Sequence, residues 1–201
     1  FERIAHDDEL LRHLDRQVLT QLVQDRSQFP ELLRSTISIN RDAATLSPRD
    51  VDTIVEVTAQ QRDAPLAIEL WEQLSDEQLA GMPDLAAALA DAGIELWHDD
   101  FGTGQRSLAH LSGIQSSVVK LDHHVAAQGA DDPHLRRHIR AVIDMLHGLR
   151  RLVVAEGIET EDHAEWLEAV GADWFQGWLY AHPMPAEDIS AWLQKQATRA
   201  A

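Results

Sequence analysis

Cysteine is absent from the 201-residue chain. That excludes disulfides and thiolate metal ligands, and it fits a reducing, cytoplasmic setting. Basic residues are scarce: 17 Lys and Arg stand against 34 Asp and Glu, for a formal net charge of −17. Such a surface repels phosphate backbones and anionic lipid, so neither nucleic acid nor a membrane is expected as a partner. An anionic substrate is admissible only where cations or local basic groups reverse the potential inside a site. No apolar run approaches the ~20 residues a membrane span needs, and no signal peptide is visible. The chain opens on Phe1 rather than Met, so a fragment or a processed form is expected. Low-complexity segments and internal linkers are also lacking. With 44% hydrophobic residues, the expectation is a single domain over 1–201 with a full core.

What is present is an alternation of helical and strand patterns. Leu10, Leu11, Leu14, Val18, Leu19, Leu22 and Val23 recur at helical spacing over residues 7–24. Short apolar runs follow at 35–39, 66–68, 94–98, 117–119, 152–155 and 174–175, each separated by a helical stretch. Pro48 and Asp50 open a helix to about Gln60. Ser75 with Gln78 resembles a capping box, Pro83 suits a first helical turn, and Gly93 closes the helix that follows. A short helix is expected around Ser107 to Leu111. Asp132-Pro133 opens a helix with the stripe Leu135, Ile139, Val142, Leu146 and Leu149. Thr160 caps another that Gly171 stops, and Pro183 and Pro185 precede a last helix through Ile189, Trp192 and Leu193. Strands that are apolar on both faces and alternate with helices imply a parallel α/β sheet covered by helices.

The centre of this pattern is Leu96-Trp97-His98-Asp99-Asp100-Phe101-Gly102-Thr103-Gly104. Adjacent residues of a regular strand face opposite ways, so Asp99 and Asp100 can share a target only where the backbone turns, as at a strand end. Two such carboxylates repel unless a hard divalent cation lies between them. An Asp-Asp pair capping a turn is the plainer alternative. All six runs finish in a residue able to coordinate a cation or hold a proton: Asn40, Glu69, Asp99 with Asp100, Lys120, Glu156 and Gln176. An open doubly wound sheet gathers only the residues near its switch point, whereas a (β/α)8 barrel gathers them all at one mouth. The barrel is therefore preferred, with one or two N-terminal strands lying before Phe1. His123 and His124 are neighbours, so they are expected to point apart as loop or surface residues.

Six stretches carry a family resemblance: Ser38-Ile39-Asn40, Ile68-Glu69-Leu70-Trp71-Glu72, Asp99-Asp100-Phe101-Gly102-Thr103-Gly104, Lys120-Leu121-Asp122, Ala155-Glu156-Gly157-Ile158-Glu159-Thr160 and Gln176-Gly177-Trp178-Leu179. In order and spacing they resemble the EAL domain, a family of bacterial phosphodiesterases that hydrolyse cyclic di-GMP to linear pGpG. The resemblance implies a TIM-like (β/α)8 barrel and two divalent cations, Mg²⁺ or Mn²⁺. It makes Asn40, Glu69 and Asp99 ligands of one ion, and Asp99 with Asp100 ligands of the other. It gives Lys120 and Glu156 the task of positioning and deprotonating a water, with Glu159 and Gln176 in support. Glu72 would steady the loop of Gly102, Thr103 and Gly104, and Asp122 would be a further polar site residue. A homodimer and an upstream sensory or regulatory domain are also implied.

Three features depart from the family pattern. The name-giving Glu-Ala-Leu segment is absent and is expected before Phe1; its Glu would be another ligand. Gln105-Arg106 stands where Tyr-Ser is common, and Leu70-Trp71 where Ile-Thr is usual. These motivate the alternatives: an EAL-like receptor that binds cyclic di-GMP without cleaving it, or a protein-interaction domain.

Overall fold

The computed structural model describes residues 8–42, 46–61, 63–71, 75–102, 111, 113–129 and 132–199. Its six strands are β1 (Ile37–Arg41), β2 (Leu66–Trp71), β3 (Glu95–Phe101), β4 (Val118–Leu121), β5 (Leu152–Ala155) and β6 (Trp174–Phe175). They lie in chain order, each parallel to the next. A doubly wound sheet would reverse its order at a switch point, and this one does not. The strands form half of a TIM-like barrel, open along β1 and β6. The helices are α1 (Asp8–Gln28), α2 (Pro48–Val57), α3 (Asp76–Asp91), α4 (His123–Gly129), α5 (Pro133–Gly148), α6 (Glu161–Val170) and α7 (Ala186–Arg199).

Strand alternation decides what faces where. On the outer face, Ile68, Leu70 and Leu96 pack with Val51 and Ile54 of α2 and Leu85 and Leu89 of α3. Further along the sheet, Val119, Leu121, Val153 and Ala155 pack with Ile139, Ile143 and Leu146 of α5 and Leu167 of α6. The inner face carries a third, smaller cluster of Ala67, Trp97, Val118 and Val154. Glu95 steadies its largest member, accepting hydrogen bonds of 2.9 Å from Trp97 Nε1 and Ser117 Oγ. Trp174 of β6 lies against Trp97 with ring centroids 5.9 Å apart.

Local signals act as the sequence implies at most helix ends. Ser75 and Gln78 form their reciprocal capping box, and Asp132 accepts from the backbone N–H of His134 and Leu135. Thr160 accepts from His163 N–H, and Gly171 ends α6 at φ +105°, a left-handed conformation that glycine adopts without strain. Pro83 does not open a helix. It lies inside α3, which the capping box has already started at Ser75. Proline there forgoes one backbone hydrogen bond, and the burial of neighbouring Met82 and Leu85 holds the helix together. The stripe of α1 is only half used: Leu19 and Leu22 are buried, whereas Leu10, Leu14 and Val18 are exposed. Among the described residues no helix is long and apolar enough to cross a membrane. Glu72, Thr103, Gly104 and most of the expected helix near Ser107 lie outside the described residues.

Candidate functional site

The inner face changes character within one step along each strand. Ala67, Trp97, Val118 and Val154 form the apolar cluster. Two residues further along, on the same face, come Glu69, Asp99, Lys120 and Glu156. Asn40 is paired in register with Glu69, so it shares that face on β1. Val154 is paired with Trp174, which puts Gln176 at the corresponding level beyond β6. A dry floor thus carries a polar tier at the C-terminal ends of the strands, where barrel enzymes place their chemistry.

The polar tier is organised around one ammonium group. Lys120 Nζ lies 2.6 Å from Glu156 Oε1, 2.8 Å from Glu69 Oε2 and 3.1 Å from Asp99 Oδ1. Lys120 is 3% exposed, Glu69 3% and Asp99 7%. Burial by itself would lower the lysine's proton affinity. The charge of Glu69 and the hydrogen bonds to Glu156 and Glu69 outweigh burial and raise it, so Lys120 stays charged.

Asp99 and Asp100 converge by a different device from the expected strand end. Both lie within β3, and the ladder to β4 slips between them: His98 pairs with Val119, but Phe101 pairs with Leu121. One extra residue on β3 makes a β-bulge, and Asp100 takes φ +56°, the left-handed region. Asp tolerates that conformation better than most residues with a Cβ. The bulge brings oxygens of Asp99, Asp100 and Glu156 within 4.8 Å of one another. Burial first, and then the charges of Asp99 and Asp122, push Asp100 above the usual carboxylate range. Burial first, with Asp99 and Glu69 adding to it against Lys120, does the same to Glu156.

A single ammonium among four carboxylates leaves a surplus of negative charge in a poorly solvated place. A like-charge pair at 4 Å costs about 4 kcal/mol at an effective dielectric of about 20. A core selected for stability alone would not hold this arrangement, since well-packed apolar residues serve at least as well. The donors fit a hard divalent cation: all are oxygens, and three lie within one coordination sphere's reach.

Asn40, Glu159 and Gln176 are exposed at the mouth and join no ion pair or side-chain hydrogen bond with this cluster among the described residues. The backbone of Gln176 nevertheless shapes it, since Ile158 N–H donates to Gln176 O (3.1 Å) and Gln176 N–H to Ala155 O (2.9 Å). A Cβ on Gly177 would stand 2.1 Å from Ile158 O, so only glycine permits this approach. Gly102 follows the bulge with φ +109°. Asp122, 4% exposed, lies 3.1 Å from His123 Nδ1 and 2.8 Å from His124 Nδ1, and its charge also acts on Asp100. Those two imidazoles do not point apart; their ring centroids are 3.9 Å apart. Alternation misled here because the chain has already left β4 and entered the first turn of α4.

Residues 1–183 match the family model of the EAL domain, and the chain belongs to that family. It is 31% identical over 162 residues to the probable cyclic di-GMP phosphodiesterase PdeB of Escherichia coli K12, covering 79% of this chain and 30% of that protein. It is 26% identical over 206 residues to the cyclic di-GMP phosphodiesterase PdeR of the same organism, covering 100% of this chain and 31% of that one. The chain therefore spans about a third of the length of these curated relatives. Among solved structures, an EAL domain protein from Listeria monocytogenes EGD-e superposes with a TM-score of 0.75 at 29% identity, over 90% of this chain and 71% of that one. The calcium and cyclic di-GMP complex of Klebsiella pneumoniae BlrP1 superposes with a TM-score of 0.79 at 26% identity, over 90% of this chain and 47% of that one.

Proposed function

We propose that this chain supplies most of the active site of a metal-dependent phosphodiesterase that opens cyclic di-GMP to linear pGpG. The observation that carries this reading is the convergence of Asp99, Asp100 and Glu156 within 4.8 Å beside a charged, buried Lys120. Asn40, Glu69, Asp99 and Asp100 would hold two divalent ions, Mg²⁺ or Mn²⁺. When bound, such ions supply charge stabilisation on the phosphodiester oxygens and a more acidic water.

The chain's own residues account for the rest. Lys120, held charged by Glu69 and Glu156, keeps a positive group at the floor of an acidic mouth and can offset charge developing on phosphoryl oxygens. Glu156 is the proton acceptor, because its raised proton affinity brings it closer to the range in which a base works near neutral pH. Glu159 and Gln176, in the loops after β5 and β6, would support it. Glu72 would steady the loop of Gly102, Thr103 and Gly104, as the family resemblance implies.

The test uses the intact gene product with Mg²⁺ or Mn²⁺ and cyclic di-GMP, with products separated by chromatography. Accumulation of pGpG, abolished in Glu156→Gln, is expected. Cyclic di-GMP bound equally well in chelator and recovered intact after hours would replace this reading with that of a receptor.

A further inference from the structure

Asp122, whose charge acts on Asp100, also gathers His123 and His124, two imidazoles that the phosphodiesterase chemistry leaves unused. Asp122 is nearly buried, and its carboxylate is aimed by the backbone: His124 N–H donates to Oδ1 at 2.8 Å. His124 Nδ1 lies 2.8 Å from the same oxygen, and His123 Nδ1 lies 3.1 Å from Oδ2. One ligand atom from each of the three residues falls within 4.8 Å of the others. The side chains of His123 and His124 are 60% and 66% exposed.

Consecutive residues on a helical turn diverge by roughly 100°, so two imidazoles meeting on one carboxylate need a reason. Burial supplies none, since both rings are largely in water, and ordering exposed side chains costs entropy. Two protonated rings with centroids 3.9 Å apart would also repel. The surrounding chain makes room for the arrangement. Gly157, next to Glu156, has φ +67°, and a Cβ there would stand 2.3 Å from the Cβ of His123.

We propose that Asp122, His123 and His124 form a second cation site, one that takes borderline divalent ions of the Zn²⁺ class in preference to Mg²⁺ or Mn²⁺. Two imidazole nitrogens and a carboxylate oxygen are a common donor set for zinc, whereas magnesium avoids imidazole. Tetrahedral bonds of about 2.0–2.2 Å put neighbouring donors roughly 3.3–3.5 Å apart. The nitrogen–oxygen distances of 2.8 and 3.1 Å reach that spacing with a small swing of two exposed rings. Solvent supplies the remaining position. The carboxylate cluster of the active site is all oxygen, so the two sites differ in donor chemistry.

The test is calorimetric titration of tag-free protein with Zn²⁺, in millimolar Mg²⁺ to occupy the oxygen site, together with the visible absorption of Co²⁺ as a coordination probe. His123→Gln and His124→Gln alter exposed rings, and thermal melting verifies that each variant is folded. Each is expected to weaken one Zn²⁺ event at least tenfold and to abolish the intense four-coordinate Co²⁺ bands. Asp99→Asn is expected to leave that event in place. Identical titrations of wild type and both histidine variants would overturn the proposal. So would a Zn²⁺ event that survives both histidine variants and vanishes in Asp99→Asn, because the ion would then occupy the carboxylate cluster. Neither result bears on whether cyclic di-GMP is cleaved.

Discussion

Lys120 Nζ lies 2.6 Å from Glu156 Oε1, from one strand to the end of the next, with Glu69 2.8 Å from the same nitrogen. The ammonium is the only ion-pair partner of Glu69 and Glu156 among the described residues. Lys120→Met should therefore destabilise the metal-free protein by ~3–5 kcal/mol, the range for orphaning buried charge. Urea unfolding in chelator measures this. Added Mn²⁺ should restore part of the loss. A variant as stable as wild type in chelator would show that the carboxylates are already protonated.

The pH dependence follows from Glu156 and Asp100, both held above the usual carboxylate range by burial first. A carboxyl whose folded value is raised contributes stability that is fully present below its unfolded value. The contribution is lost as pH rises through the folded value. In chelator, the melting temperature should thus fall from about pH 4 towards neutrality more steeply for wild type than for Glu156→Gln. Divalent metal should reverse the trend, because it binds the ionised forms. Parallel curves for the two proteins in chelator would contradict the assignment.

Much of this site was legible at the strand ends. Asp99, Lys120 and Glu156 each follow a short apolar run, so the polar tier at the strand ends is expected from the sequence; the apolar floor two residues before it emerges only with the inner face. Alternation of strands and helices pointed to a parallel sheet, and the polar residue ending every strand pointed to the barrel. The bulge was not legible. The sequence required a turn at Asp99-Asp100 but could not say that it lay within β3, since the slip arises from pairing with β4. His123 and His124 are surface residues as expected, but their convergence is not legible for a related reason: it depends on the carboxylate that precedes them and on space left by Gly157. Asp122 is marked only by the family resemblance, and nothing local in the sequence reveals that it gathers both imidazoles.

Asp100 tests the bulge. At φ +56°, Gly or Asn should be accommodated, and removing a carboxylate should raise the melting temperature in chelator. Asp100→Val should instead cost about 1–2 kcal/mol, because a β-branched side chain opposes the left-handed region. Equal melting of the Gly and Val variants would contradict the backbone assignment.

Gly177 tests how the loops around Glu156 are held. Its alanine variant places a methyl 2.1 Å from Ile158 O, against backbone that cannot rotate away. A loss of about 1–3 kcal/mol is expected from overpacking. Accelerated amide exchange at Ile158, whose N–H donates to Gln176 O, should accompany it. Unchanged protection at Ile158 would show that the loops are not coupled there.

Asp99 bears on the central claim most directly, that the mouth carboxylates exist to hold cations. Asp99→Asn preserves size and removes one charge from the set that Asp99, Asp100 and Glu156 form. Mn²⁺ binding measured by calorimetry should weaken at least tenfold, while melting in chelator stays level or rises as repulsion is relieved. Undiminished Mn²⁺ affinity in Asp99→Asn would contradict the account.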